Sequence, residues 1–265
     1  MESALRLAAA APLLQSPRVS DVLIVKTGNT LAPIAARRED FESWIGAGLG
    51  VDSARVRVVR VFAGEALPRP SDFAGVVVTG SSAMVSEREA WSEATAAWLA
   101  DAAADATPLL GICYGHQLLA HGLGGRVAKN PRGREIGSVD VTLASEAADD
   151  DLLAGGPAVF RAQASHLESV LELPPGATRL ATTDLDPNHA FRVGPSAWGV
   201  QFHPEFDADI TRGYLRARRT DIASEGLDVD RLIAGVGPAP HATAVLRRFA
   251  QLLRGLAPAS PAKRS

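Results

Sequence analysis

Three side chains have the types and spacing of a nucleophile, a base and an orienting acid. Cys113 is the single cysteine of the chain and stands in Gly111-Ile112-Cys113-Tyr114-Gly115. Before it, Pro108 to Ile112 read as a buried strand; after it, Gln117 to Ala120 are good helix formers. This is the cysteine form of a nucleophile elbow, a sharp strand-to-helix turn that lifts one side chain out of a sheet. Glycines two before and two after the nucleophile suit a turn too crowded for a Cβ. A thiol at a helix N-terminus is also favoured as thiolate. A lone cysteine is more often a small buried hydrophobe, so the reading depends on a partner. His203-Pro204-Glu205 supplies it, ninety residues on (113 to 203). Two residues apart on extended backbone, His203 and Glu205 point to one side. The proline fixes the chain between them, so the carboxylate can hold one ring nitrogen while the other faces the thiol.

The elements that must position these residues follow from the hydrophobic pattern. Val22 to Val25, Val56 to Val61, Gly75 to Thr79 and Leu109 to Ile112 read as strands. Helices are expected over Pro33 to Trp44 and Glu87 to Ala104, the second with Trp91 and Trp98 as core residues. The alternation implies a flavodoxin-like α/β fold, a mostly parallel sheet with helices on both faces. In such sheets sites form beyond the C-terminal strand ends, where both Cys113 and Gly80-Ser81-Ser82 fall. After Gly125 the texture changes. Val139 to Leu143 alternates apolar and polar; Ala158 to Gln163, Arg179 to Thr183 and Ala190 to Val193 are short strands between turn residues. This reads as an antiparallel extension of the first sheet or a small second one. Trp198 to Phe202 is a strand leading into His203. Helices then run from Phe206, over Tyr214 to Ala223, Val229 to Ala234 and His241 to Leu253, with His241 as a cap and Gly255 as a stop. The expected organisation is a leader over 1–20, a catalytic domain over 21–206, C-terminal helices over 207–256 packed on that domain, and a tail over 257–265.

Composition sets bounds. The 265 residues are 46% hydrophobic and 22% charged, with a net charge of −3. That is an ordinary globular composition, large enough for a sizeable core and giving no reason to expect nucleic acid or membrane partners. One cysteine excludes an internal disulfide and a cysteine-rich metal site, and suits a reducing, cytoplasmic setting. No apolar run approaches the roughly 18 residues of a membrane span. No metal-ligand spacing and no cofactor motif is found.

Gly111 to Gln117 together with Gly199-Val200-Gln201-Phe202-His203-Pro204-Glu205 resembles the class I (triad) glutamine amidotransferases over Val22 to Phe206. Within that family the likeness is to the glutaminase domain of GMP synthase and to its stand-alone relatives. The resemblance implies that Cys113 attacks the side-chain amide of glutamine, that His203 serves as base and then acid, and that Glu205 orients His203. A thioester on Cys113 would be hydrolysed to glutamate, with ammonia released. It further implies an oxyanion hole from backbone N–H groups of Tyr114 and of the Gly80-Ser81 loop. Substrate contacts would come from Gln117 and from Ser165-His166, the latter on a loop closing over the α-amino end. Two departures stand out. The loop after the third strand, often Gly-Gly-Pro in the family, is Gly80-Ser81-Ser82 here. No Ser-Gly-Gly phosphate loop follows Glu205 in this sequence, so an ammonia-accepting synthetase would be a separate chain.

Two other readings remain open on sequence. One is a γ-glutamyl hydrolase acting on a conjugate without ammonia transfer, which a wider pocket beyond Gly80 would favour. The other is a non-catalytic binding module, which an ordinary thiol at Cys113 would favour. Of the remaining polar residues, His116 and His121 are expected to pack or face solvent, and His189 to be structural or at the pocket rim. Arg216, Arg218 and Arg219 are expected to form a solvated helix face.

Overall fold

The computed structural model describes residues 21–256. The expected leader and tail lie outside them. The N-terminal half builds a parallel sheet from β1 (Val22–Lys26), β2 (Val56–Arg60), β3 (Gly75–Val78) and β4 (Leu109–Ile112). Their uninterrupted apolar runs are explained by burial on both faces. Along β1, Val22 and Ile24 pack with α1 (Ala32–Arg38), α2 (Phe41–Leu49) and the C-terminal helix, whereas Leu23 and Val25 pack with α3 (Ala90–Ala104) and α4 (Tyr114–Gly122).

The chain then forms β5 (Arg126–Lys129), β6 (Glu135–Leu143), β7 (Val159–His166), β8 (Glu168–Glu172), β9 (Thr178–Thr182), β10 (Ala190–Val193) and β11 (Ala197–Val200). Among the described residues one nine-stranded sheet runs β2-β1-β3-β4-β11-β10-β9-β6-β7. It is parallel from β2 to β11 and antiparallel beyond. The antiparallel extension expected from the alternating segments is therefore present. A separate ribbon of β5 and β8, which the sequence pattern did not indicate, packs beside it. The last segment is α5 (Ala208–Ala217), α6 (Arg219–Ser224), α7 (Val229–Gly235) and α8 (Pro240–Leu256), with α8 buried against α2 and the sheet through Val245, Leu246, Phe249 and Leu253. Among the described residues no helix is long and apolar enough to cross a membrane.

Several elements depart from expectation, each for a local reason. The helix expected over Pro33 to Trp44 is two helices. Glu39 takes φ 65°, and the Asp40 carboxylate accepts the N–H of Phe41, starting α2 afresh. The helix expected from Glu87 begins at Ala90, after a 3-10 turn closed by Arg88 in the left-handed region. The basic helix expected over Tyr214 to Ala223 breaks at Arg218. His241 lies one residue inside α8 rather than at its cap, and α8 runs past Gly255 to Leu256.

The two halves are tied together at β4 and β11, which pair in parallel with Gly111 opposite Gly199 and Ile112 opposite Val200. Asp150 reinforces this seam from the loop between β6 and β7. Its carboxylate is fully buried, accepts from Trp198 Nε1 at 3.1 Å and Arg192 Nε at 2.9 Å, and caps the N–H groups of Leu152 and Leu153. Removing it leaves a guanidinium contact and three N–H donors without their acceptor. Asp150→Ala is therefore expected to cost about 3 kcal/mol, read as a lower midpoint in urea unfolding with an unchanged slope.

Candidate active site

The elbow is built where β4 meets α4. Cys113 sits at φ 52° and ψ −101°, a conformation L-residues rarely adopt. Its N–H donates to Val200 O at 2.9 Å, and its carbonyl accepts from Gln117 N, so both sides of the turn are held. The flanking glycines have a steric reason. A Cβ on Gly111 would collide with the backbone of Gly115 and His116, and one on Gly115 would lie 2.5 Å from Val78 O. The turn therefore packs backbone against backbone on both sides.

The candidate base arrives from the neighbouring strand. β11 ends at Val200, and His203 follows on a loop, its N–H donating to Gln163 O on β7 at 2.8 Å. His203 Nδ1 is 2.7 Å from Glu205 Oε1, and both side chains are buried. The imidazole is clamped by ring packing, with Phe206 stacked on it at 3.9 Å between centroids and Phe41 at 6.4 Å. Burial pulls the His203 pKa down, but the Glu205 carboxylate and the adjacent thiol overcome this and push it up to about 10. Burial pushes the Cys113 thiol up; the charge and hydrogen bond of His203 outweigh it, with His166 adding to the effect, and the thiol lies below its ordinary value. Together these describe a thiolate–imidazolium pair oriented by a carboxylate.

The Gly80-Ser81 loop lies across from this pair. A Cβ on Gly80 would come within 3.0 Å of His203 Cε1. Two threonines outside the expected site residues hold this loop. Thr27 Oγ1 lies 3.0 Å from Thr79 O and 3.1 Å from Gly80 O, and Thr79 Oγ1 accepts from Thr27 N at 3.0 Å. The loop's oxygens are thereby engaged on the β1 side. Tyr114 contributes no phenol to the thiol: its hydroxyl is 2.7 Å from Ser92 Oγ on α3, and burial pushes its pKa up to about 12.

Cys113, Tyr114, Ser81, Gln117, Ser165 and His166 line one small cavity of about 40 Å³. The thiol reaches toward Ser165 O at 3.9 Å. Gln117 Nε2 is already committed to Glu168 O at 2.7 Å and Gln201 Oε1 at 3.0 Å, so any substrate contact by Gln117 falls to its carbonyl oxygen. Ser165 and His166 end strand β7 rather than lying on a loop. Both ring nitrogens of His166 face protein acceptors, Glu168 O and Glu135 Oε2, each at 2.9 Å.

Two arginines outside the expected site residues also line the cavity. Arg134 is held in a two-pronged pair with Glu225, both contacts at 2.8 Å. Arg218, expected on a solvated face, instead turns toward the site and donates to Ser82 Oγ at 3.2 Å; Arg219 pairs with Asp230. The helix break at Arg218 is what separates these two neighbours. The other histidines are accounted for by packing. His116 is fully buried against Phe191 at 4.9 Å, and burial draws its pKa down to about 3. His121 faces Glu93 at 2.9 Å on the surface of α3 and α4. His189 is fully buried and stacks on Phe202 at 5.9 Å, not at a rim. Glu135, His166 and His189 bring ligand-type atoms within 4.8 Å of one another, a grouping that sequence separation hid.

The family described as glutamine amidotransferase class-I has a model that matches residues 40–217. The GMP synthase of Aeropyrum pernix is 38% identical over 197 residues, covering 74% of this chain and 34% of that protein. That of Thermomicrobium roseum is 34% identical over 198 residues, covering 72% and 32%. The chain thus spans about a third of the length of these relatives. One subunit of the glutamine-hydrolysing GMP synthase of Thermococcus kodakarensis is 38% identical over 113 residues, covering 40% of this chain and 58% of that protein. Among solved structures, a glutamine amidotransferase from Thermotoga maritima superposes with a TM-score of 0.69 at 23% identity, covering 89% of this chain and 98% of that one. At that identity the likeness bears on the fold, and the flavodoxin-like architecture is shared.

Proposed function

Since the chain belongs to the class-I glutamine amidotransferase family, we propose that it hydrolyses the side-chain amide of glutamine through a thioester on Cys113. The observation that carries the reading is the Cys113–His203–Glu205 arrangement, with the thiol drawn below and the imidazole above its ordinary value. The Cys113 thiolate attacks the amide carbon, and the electron pair moves onto the carbonyl oxygen. N–H groups of Tyr114 and of the Gly80-Ser81 loop receive that charge; such donors supply about 3 kcal/mol each. When the tetrahedral species collapses, the C–N bond breaks and His203 gives its proton to the leaving nitrogen, releasing ammonia. The neutral ring then takes a proton from water, hydroxide adds to the thioester, and glutamate leaves with the thiolate restored.

The drawn-down thiol argues against a purely binding role. Ammonia would pass to a separate synthetase chain. The Thermococcus relative is one subunit of a GMP synthase rather than the whole enzyme, which supports that division of labour. Gln117 and Ser165 are the proposed substrate contacts. A single thiol in use as a nucleophile fits a reducing, cytoplasmic setting.

The test is glutamate release from L-glutamine, with a γ-glutamyl anilide run beside it. Turnover of glutamine supports the reading; turnover of the anilide alone replaces it with γ-glutamyl hydrolysis. The pH profile gives a second check. Activity needs the charged His203, so it is retained up to the imidazole's pKa and lost as pH rises through about 10. In Glu205→Gln the carboxylate that raises His203 is gone. The alkaline limb is expected to move toward neutrality, and kcat to fall by about 10²- to 10⁴-fold. An alkaline limb left in place would mean that Glu205 does not hold the base.

A further inference from the structure

His166 lines the same cavity as the thiol and forms a second dyad with Glu135. His166 ends β7, the residue after Ser165, whose carbonyl is 3.9 Å from Cys113 Sγ. Its Nδ1 is 2.9 Å from the carbonyl oxygen of Glu168, and its Nε2 is 2.9 Å from Glu135 Oε2. A carbonyl oxygen and a carboxylate both accept hydrogen bonds. With Glu135 ionised, each ring nitrogen carries a hydrogen, and a ring with two is an imidazolium. The other oxygen of Glu135 accepts from Thr183 Oγ1 at 2.7 Å, so the carboxylate is satisfied as an anion. The whole arrangement is buried, with His166 and Glu135 side chains 2% and 4% exposed, where a charge survives only when paired.

We propose that His166, held as an imidazolium by Glu135, is a second fixed positive charge on the Cys113 thiolate, acting separately from His203. The proposal rests on Cys113 as the nucleophile, but not on which amide is cleaved. It gives the thiolate a counter-charge that takes no part in proton transfer. His203 cycles between charged and neutral forms as it serves the leaving nitrogen and then water. His166 stays charged, and stabilises the thiolate both at rest and when it departs from the thioester.

The groups around the ring agree with this assignment. Burial draws His166 down, but the Glu135 hydrogen bond and charge, the thiolate and Asp186 overcome it and hold the ring above its ordinary value. Burial pushes Glu135 up, while His166, His189 and Thr183 bring it below the usual carboxylate range. The neighbouring His189 has its nearer nitrogen 3.4 Å from the same carboxylate, its ring makes no hydrogen bond among the described residues, and burial draws it down to about 4. It is therefore neutral and does not compete for the charge. Beyond the thiol stand His203 and Glu205, and Arg134, Glu168 and Arg218 line the same cavity.

The test is the pH dependence of Cys113 alkylation by iodoacetamide, in the wild-type protein and in Glu135→Gln. The amide preserves the shape but removes the charge that keeps His166 protonated. The alkylation midpoint is expected to rise by about one pH unit, which is about a tenfold loss of thiolate on the acid side. Independently of any variant, nitrogen NMR of the wild-type protein at pH 7 is expected to show both ring nitrogens of His166 protonated. A Glu135→Gln midpoint equal to wild type, or a His166 ring with one bare nitrogen at pH 7, overturns the proposal. So does stoichiometric divalent metal in the purified protein bound by Glu135, His166 and His189, since a ligating nitrogen carries no proton. If Glu135→Gln fails to fold, the wild-type spectrum decides alone. Alkylation needs no turnover, so a protein that behaves as expected here yet leaves glutamine intact would sink the proposed reaction and not the charge.

Discussion

Replacing Cys113 with alanine is expected to lower glutamine hydrolysis by at least about 10⁴-fold in kcat/KM, with the fold intact. The magnitude follows from the covalent route: without a nucleophile, His203 and the oxyanion donors have only water to act on. Apart from its hydrogen bond with His203, the Cys113 sulfur makes only the 3.9 Å approach to Ser165 O. Circular dichroism and the unfolding midpoint should therefore stay close to wild type while glutamate release disappears. Cys113→Gly separates structure from chemistry further. The residue stands at φ 52° and ψ −101°, where any Cβ is strained by about 1–3 kcal/mol and glycine is not. The glycine variant should be equally dead and unfold at a higher temperature than the alanine variant. An alanine variant that still releases glutamate at the wild-type rate would remove Cys113 from the mechanism.

The second large effect is expected at a residue with no side chain. Gly111→Ala places a methyl group against the backbone of Gly115 and His116, which belong to the same turn and cannot rotate aside. Relief requires β4 and α4 to separate, opening the seam that also holds Cys113 N to Val200 O. A loss of about 3 kcal/mol or more is expected, with activity falling in parallel because the thiol is displaced from His203. Gly46→Ala is the control. It lies on α2 with nothing within 4 Å of a new Cβ, and alanine there should stabilise by about 1 kcal/mol. Chemical denaturation of the two variants beside wild type distinguishes a steric requirement at Gly111 from a general sensitivity to alanine. Equal midpoints for Gly111→Ala and wild type would mean that the turn is looser than its contacts indicate.

What could be read from sequence was local. The elbow and His203-Pro204-Glu205 are each a few residues long, and each contains its own geometric logic. The parallel strands were legible because β1, β3 and β4 are buried on both faces and so are unbroken apolar runs. Asp40 was a readable helix start that the amphipathic pattern over Pro33 to Trp44 concealed. The unread features are contacts between distant residues with no period to betray them. β5 and β8 are short, β5 partly exposed and β8 mostly buried, and each is defined by the other. Glu135, His166 and His189 come from three different strands or strand ends. Thr27 and Thr79 look like ordinary strand-end threonines until β1 and β3 pair. Arg218 belonged to a basic run whose only distinction is a helix break.

The pairing of β4 with β11 also bears on when a reactive thiol first exists during synthesis. Synthesis proceeds from the N-terminus, so Cys113 is made ninety residues before His203 (113 to 203). Both charges that draw the thiol down, His203 and the His166–Glu135 pair, reach it only through non-local strand contacts made after the chain between them has been made. Long-range pairing of this kind is slow and carries a loop-closure cost that grows with the intervening chain. Until it happens Cys113 is an ordinary cysteine, mostly protonated and comparatively inert to oxidants. On the proposed mechanism the order of assembly thus acts as a safeguard: the nascent chain carries the proposed nucleophile in an unarmed form, and closing the sheet is the event that arms it.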